Sequence, residues 1–358
     1  MKKLCVIFGG NSPEHDISVI TGMQLAKNLK EKYEVEKIYL GLDNKFYLAT
    51  KIEDLAYFNN KSAVKLKPLV ITDGALHVKG FKLKKVCDIS CVINCCHGGV
   101  GENGDLAGFF AVKNLPHTSA CALSAHIAMD KSLTKELVKG VAPVVEGFKV
   151  NANNFEEMCE KIDVELGENL IVKPNSMGSS IGVKACTKAD YKQQILAIFE
   201  MGDEALVENR ITPIMELNQA CFKTKDGLML SSIENPISKS SFLTFDEKYN
   251  HNSKEKGQDR IIPAQISADL ENLIISHTSS IYNKLNMNGV VRIDYIYNPT
   301  TNTLYFNEIN TIPGSMAFYL YEPLGIDYIS LIEHLVNNPT TNKKTSYFNS
   351  SILTKKLL

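Results

Sequence analysis

The sequence predicts an α/β protein that opens with a small doubly wound domain built on a largely parallel sheet. Three observations carry this. The continuous apolar runs Leu4–Phe8 and Ile89–Cys95 read as strands buried on both faces. Each passes straight into a glycine turn, Gly9-Gly10 in one case and Gly98-Gly99-Val100-Gly101 in the other. Between them a helix is expected from about Ser18, with Val19, Gly22, Met23, Ala26 and Leu29 at helical spacing, and Val35–Leu40 then closes a βαβ unit.

The remaining elements follow in order. The acidic group Glu14, His15 and Asp16 sits just beyond a strand's carboxyl end, where open α/β sheets place their ligands. Taken alone, it reads better as an acidic helix start favoured by the macrodipole. Residues 41–86 show short β-like pieces and no chemistry that can be named. His97 leads a loop with four glycines up to Gly104, which lets backbone N–H groups approach an anion closely. A long helix is expected over Ala122–Lys139, with a change of domain between about 117 and 145. Leu170–Val172 reads as a strand leading into Lys173-Pro174-Asn175-Ser176-Met177-Gly178-Ser179-Ser180-Ile181-Gly182-Val183. One lysine at the base of small, flexible residues suits a phosphate-gripping hairpin tip, although an ordinary Gly/Ser turn has the same composition. It is not a Walker A loop, because the lysine precedes the glycines. Helices are expected over Ala189–Met201, Leu270–Leu285 and Leu324–Val336, and strands over Ala205–Asn209, Leu217–Phe222 and Leu228–Ile233. The run 246–260 has no aliphatic member before Ile261 and reads as a functional lid. The expected division is 1–120, 121–212 and 213–340, with a polar tail over 341–358.

The hairpin formed by VVRIDYIY and TLYFNEIN within Gly289–Ser315 holds the most chemistry. A turn symmetric about Thr301 sets Asp294 opposite Glu308 and Arg292 opposite Asn310. These four side chains share one face, while Val291, Ile293 and Ile309 turn into a core. Two facing carboxylates and an amide repel or compete unless a cation lies between them, and a hard divalent ion with oxygen ligands fits. The same face also reads as the solvated side of an edge hairpin.

Composition narrows the classes. The chain has 358 residues, enough for two or three domains, with 44% hydrophobic and 22% charged residues. A formal net charge of −1 gives no reason to expect nucleic acid or a membrane as partner. Nine cysteines, several inside apolar runs, suggest free buried thiols and a cytoplasmic protein. Cys95-Cys96-His97 lacks the ligand spacing of a zinc site. Met1–Phe8 is too short for a secretion signal, and no run approaches a membrane span.

The order and spacing of FGGNSPEHDIS, HGGVGENG, MDK, VKPNSMGSSIGV, EKY, RIDY and NEINTIPG resemble the D-alanine–D-alanine ligase family, over about residues 3–337. The resemblance implies an ATP-grasp fold, two α+β subdomains gripping ATP, behind the small N-terminal domain. It implies ATP and two Mg²⁺ ions, with Mn²⁺ able to substitute. It further implies a cytoplasmic homodimer that joins two D-alanines for peptidoglycan synthesis and cell-wall biogenesis. By the same resemblance Lys131, Lys173 and Lys248 meet the ATP phosphates, with Ser180 beside them. Glu208, Asn209 and Ile211 form the adenine hinge, and Glu216 meets the ribose. Asp294, Glu308 and Asn310 hold the metals, and Arg292 stabilises the transferring phosphoryl group. His97 lies near the first substrate's carboxylate, Gly314 and Ser315 receive the second's, and Asp16, Ser179 and Tyr249 close the lid.

Three departures from the family pattern bear on substrate choice. Asp16 and Asn103 stand where a glutamate and an acid are usual, and Ser315-Met316-Ala317-Phe318-Tyr319 replaces a Ser-His-Ser-like run. D-Ser or another amino acid as second substrate is therefore an alternative, as is a nucleotide-binding protein without catalysis.

Overall fold

The computed structural model describes residues 2–59, 65–72, 74–237 and 260–341. Strand β1 (Lys3–Gly9) leads to helix α1 (His15–Leu29) and strand β2 (Glu34–Leu40), the expected βαβ unit. Strands β3 (Phe46–Leu48), β4 (Lys67–Thr72), β5 (Ala75–Val78) and β6 (Lys84–Asp88) follow, then β7 (Cys91–Asn94). They form a seven-stranded sheet in the order β6-β5-β4-β3-β2-β1-β7. Only β2, β1 and β7 pair in parallel, and the stretch without nameable chemistry supplies an antiparallel wing. Short hairpin connections make that the direct route for adjacent strands.

Helix α1 begins three residues before the expected Ser18. Ser12 starts it: its Oγ accepts from the Glu14 N–H at 3.0 Å and its carbonyl from the His15 N–H at 3.1 Å. Ser-Pro is a helix-start signal, and it outranks the first apolar periodic residue. After α2 (Gly99–Glu102) and α3 (Asp105–Val112), the helix expected over 122–139 is two helices, α4 (Ala122–Met129) and α5 (Lys131–Val138). The break is Asp130, which is extended at φ −82, ψ 101 and caps α5 by accepting from the Leu133 N–H at 2.8 Å. Lys131 thereby stands at the first turn of a new helix instead of mid-helix.

A second sheet, ordered β10-β9-β11-β8, is antiparallel and comprises β8 (Gly147–Val150), β9 (Asn169–Pro174), β10 (Lys184–Thr187) and β11 (Ala205–Asn209). Helices α6 (Phe155–Glu165) and α7 (Tyr191–Glu200) cover it through a core of Ile162, Tyr191, Ile195, Leu170 and Val172. The third sheet runs β14-β13-β12-β15-β16, from β12 (Met215–Lys223), β13 (Leu228–Pro236), β14 (Arg260–Ile261), β15 (Val291–Asn298) and β16 (Thr303–Asn310). Helix α8 (Ala268–Lys284) packs on it through Leu270, Ile274 and Ile281, and so does α4 through Ala125 and Ala128.

Packing crosses the divisions expected along the chain. The segment of α4 and α5 precedes the second sheet but shares its core with the third. Helix α9 (Tyr328–Asn337) begins four residues after the expected Leu324, at the cap Asp327, and packs through Leu331 and Ile332 on Leu4, Phe8 and Leu29 of the first unit.

The end of the described chain is fastened at His117, whose backbone exchanges bonds with Thr340 of 3.1 and 2.7 Å. Burial pushes its imidazole from the usual 6.5 down to about 4. The native state therefore binds fewer protons than the unfolded chain below pH 6.5, so this contribution is full above pH 6.5 and is lost toward pH 4. Denaturant unfolding at pH 7 and pH 5 should cost wild type about 2 kcal/mol more than a His117→Gln variant, which cannot titrate there.

Candidate active site

The second and third sheets face each other across a cleft of two adjoining chambers, which share Glu216, Asn218, Asp294 and Glu308 in their walls. The first chamber has an apolar slot of Val145, Ile171, Val183, Ile211 and Ile296 and a polar end holding Lys131, Lys173 and Glu308. The second is lined mainly by polar side chains from all three sheets' ends, among them His97, Arg292, Ser179 and Ser315.

The two expected lysines meet at the junction of the sheets. Lys131, buried at the start of α5, donates to the Met177 carbonyl at 2.5 Å and lies 3.6 Å from Glu308. Lys173, buried on β9, reaches Glu208 at 2.7 Å and donates to Asn307 Oδ1 at 3.2 Å on the opposite sheet. Glu208 on β11 divides its two oxygens between Lys173 and Lys135, a third buried cation that sequence reasoning passed over. Its spacing was the available signal, since Lys135 lies four residues after Lys131 on the same helix face. Burial pushes the Glu208 carboxyl up, but the two lysines overcome it and hold the group below its usual range. Burial pulls Lys135 the other way, down to about 8. Asn209 accepts from the Gly167 N–H at 2.8 Å beside the slot, and Ser180 and Ile211 line it.

The hairpin register is as expected at its open end: Arg292 pairs with Asn310 and Asp294 with Glu308. Beyond them the ladder shifts, so that Tyr295 pairs with Phe306 and Asn307 is an extra residue. Burial shows why a bulge is needed. Leu304 and Phe306 are core residues, and so is Ile309, so parity must change once between them. The change turns Asn307 toward Lys173 and Glu308 into the cleft. Arg292 grips Asp294 with two bonds of 2.7 and 2.8 Å. Burial lowers the guanidinium's affinity for its proton, but Asp294 more than restores it.

Two facing carboxylates and an amide are all-oxygen donors suited to a hard divalent ion. Asn310 here offers Nδ2 to Asp294 at 3.0 Å, and a half-turn of the amide presents its oxygen instead. The residues therefore fit such an ion. Among the described residues, no cluster of three or more His, Cys, Asp or Glu side chains forms a metal site.

Asp16 does not join this group. Its side chain is 69% exposed and accepts from His15 Nδ1 at 2.8 Å. Glu14 takes the place expected of it: at the last position before α1 it accepts from the Ser179 hydroxyl and lines the second chamber. The earlier helix start is the reason, because it puts Glu14 on the turn facing the cleft and Asp16 in the first helical turn. Gly98, at φ +64, admits it: a Cβ there would lie 2.7 Å from Glu14 Oε2. The acid missing at Asn103 is likewise one residue earlier. Asn103 bonds Asp105, accepting from its N–H at 3.0 Å and donating to its carboxylate at 2.9 Å. Glu102 accepts from the N–H groups of Gly98, Thr311 and Ile312 at 3.0, 2.9 and 3.1 Å, tying the glycine loop to the end of β16. Burial and the Glu14 carboxylate push its carboxyl up to about 7, against the pull of those donors.

His97 is buried, with Nε2 3.2 Å from the Thr21 hydroxyl. Burial holds its imidazole below the usual range, with Glu14 pulling against it, so the ring lies toward the neutral form near pH 7. Gly314 and Ser315 also line the second chamber. Ser315, Met316 and Ala317 all have positive φ of 49, 55 and 52. This tight turn buries Met316 and Ala317, stacks Phe318 on Tyr328 at 4.5 Å, and delivers Tyr319 to the chamber. Lys248 and Tyr249 lie outside the described residues, as does the 246–260 lid apart from Arg260.

Comparison with known proteins agrees with this layout. Residues 3–120 match the profile described as D-ala D-ala ligase N-terminus, and residues 142–337 match D-ala D-ala ligase C-terminus. A D-alanine–D-alanine ligase of Thermosipho africanus is 33% identical over 344 residues, covering 93% of this chain and 91% of the relative. The crystal structure of D-alanine–D-alanine ligase from Helicobacter pylori aligns with TM-score 0.78 at 28% identity, covering 96% of this chain and all of the other. The VanG D-Ala:D-Ser ligase of Enterococcus faecalis aligns with TM-score 0.80 at 25% identity over 94% of this chain and 98% of its own. The fold is the ATP-grasp fold of these ligases behind their N-terminal domain, and with both profiles spanning nearly its whole described length the chain belongs to the D-alanine–D-alanine ligase family.

Proposed function

We infer that this chain joins two D-alanines at the expense of ATP, forming D-alanyl-D-alanine through an acyl phosphate. The observation that carries the reading is the shared wall of the two chambers. Asp294 and Glu308 stand between an apolar slot ending in buried lysines and a chamber lined mainly by polar side chains. The adenine lies in the slot along Asn209 and Ile211, and the ribose meets Glu216. Lys131 and Lys173 take the phosphates, and Lys135 keeps Glu208 from neutralising Lys173 alone.

Asp294, Glu308 and Asn310 would hold magnesium. When bound, the metal supplies charge neutralisation for the transferring phosphoryl group. The first D-alanine lies in the second chamber with its ammonium toward Glu14 and its carboxylate toward the phosphates. Ser179 holds Glu14 in place for this. Arg292, kept charged by Asp294, faces the charge that builds on the phosphoryl oxygens and on the tetrahedral carbon. The amine of the second D-alanine then attacks the acyl phosphate and releases phosphate.

A cytoplasmic setting is supported by the cysteines: all nine are free, and eight of them are buried. Among the described residues no helix is long and apolar enough to cross a membrane. We also propose a homodimer, by likeness to the family.

The test is phosphate release with ATP and Mg²⁺, with and without D-alanine, and mass spectrometry of products from a mixed D- and L-amino-acid pool. Release that depends on D-alanine, with D-alanyl-D-alanine as main product, is expected. ATP binding without D-alanine-dependent release would overturn the reading.

A further inference from the structure

The chain's charge is balanced in total, 39 basic residues against 40 acidic ones, and that total conceals a local excess. The connection from β5 to β6 and the start of β6 read Lys79-Gly80-Phe81-Lys82-Leu83-Lys84-Lys85, four lysines and no acid in seven residues. All seven are exposed. The neighbouring strand β4 opens on an exposed Lys67, and its Pro68 carbonyl accepts from the Lys79 N–H at 2.8 Å. Lys65, just before that strand, is exposed as well. Among the described residues of β4 to β6 the one acid is Asp88, and it pairs with Lys85 at 2.7 Å. Lys65, Lys67, Lys79, Lys82 and Lys84 have no ion-pair partner among the described residues.

The apolar side chains at this tip are a second observation. Phe81 is fully exposed, more so than any other large apolar side chain among the described residues, and Leu83 is 53% exposed. Lysines on an edge strand guard it against pairing with another strand, which accounts for Lys84 and Lys85 on β6. It does not account for Phe81 and Leu83 in the loop, or for the lysines beside them. Every cation of the patch is a lysine, a compact hydrated charge, whereas two-pronged reading of nucleic-acid phosphates or protein carboxylates favours arginine. Lysines around exposed apolar side chains match an anionic bilayer, whose headgroups take the charge while the apolar groups enter the acyl boundary.

The tip also points away from the chemistry. One parallel and three antiparallel pairings separate β1 from β5, so β5 runs opposite to β1. Its carboxyl end leaves the sheet where β1 begins, whereas the cleft lies beyond Gly9, where β1 finishes. We propose that residues 79–85 are a docking site for the surface of an anionic lipid bilayer, with Phe81 and Leu83 as anchors and Lys67, Lys79, Lys82 and Lys84 as the attracting charges. This goes beyond the ligase reading and does not depend on it.

Co-sedimentation of the full chain with vesicles tests the site, with equal parts of phosphatidylglycerol and phosphatidylcholine in one sample and phosphatidylcholine alone in the other. Wild type should bind the anionic vesicles at low salt, bind the neutral ones far less, and release as salt rises past about 0.15 M. Replacing Lys82 and Lys84 together with glutamine should weaken binding roughly 25-fold, about fivefold for each lysine. Phe81→Ser should weaken it about tenfold. An unchanged melting temperature shows that these exposed positions leave the fold intact. No binding of wild type to anionic vesicles at low salt, equal binding to both vesicles, or binding that neither variant weakens would overturn the proposal. A wild-type dimer that Phe81→Ser dissociates in analytical ultracentrifugation would overturn it too, and make the tip a face between copies. So would tighter, lysine-dependent binding of a single-stranded RNA that Phe81→Ser leaves unchanged.

Discussion

Replacing Glu308 with glutamine is expected to lower turnover on the order of 10³-fold while leaving the fold intact. The substitution keeps shape and removes one charge. Glu308 faces Asp294 across the β15–β16 ladder and lies 3.6 Å from Lys131, so it is one of the oxygens offered to the metal and a counter-charge to a phosphate-binding lysine. Its side chain is 22% exposed, and the hairpin's packing rests on Ile293, Phe306 and Ile309 on the other face. The melting temperature should therefore change by only a few degrees. Phosphate release measured at saturating ATP, D-alanine and Mg²⁺ checks this. Release at the wild-type rate would remove Glu308 from the metal site.

Glu102→Ala should cost about 3 kcal/mol of stability and most of the activity together. Three N–H groups, on Gly98, Thr311 and Ile312, lose their acceptor at once. Thr311 and Ile312 are 3% exposed, so water replaces the carboxylate poorly. The consequence reaches the chemistry, because the same bonds join the loop that carries His97 to the strand that ends in Asn310. Both the denaturation midpoint and the KM for the first D-alanine should move. A variant with weakened stability but wild-type kinetics would limit Glu102 to holding the fold.

Much of this site is legible along the chain because strand geometry is local. The two-residue period of β15 and β16 puts Arg292, Asp294, Glu308 and Asn310 on one face whatever surrounds them. The Lys131 and Lys173 motifs and the glycine loop carry their spacing with them in the same way. Helix starts are less secure: one apolar repeat is compatible with several first residues, and the earlier start is what sets Glu14, not Asp16, against Ser179 at the cleft. Asn103 and Glu102 differ for the same reason, since adjacent residues on a short helical turn point to different sides.

The sequence by itself determined the βαβ opening, the hairpin that pairs Asp294 with Glu308, and the family. The first two rest on periodicity within a few tens of residues, and the family on the order of motifs over about residues 3–337. Only the tertiary structure decided which acids enter the cleft, that Lys135 and Lys173 share Glu208, and that Tyr319 and Arg260 meet at Glu234. Those contacts join separate elements, up to 165 residues apart for Glu14 with Ser179. Their closeness follows from how three sheets pack against one another, which no local pattern encodes.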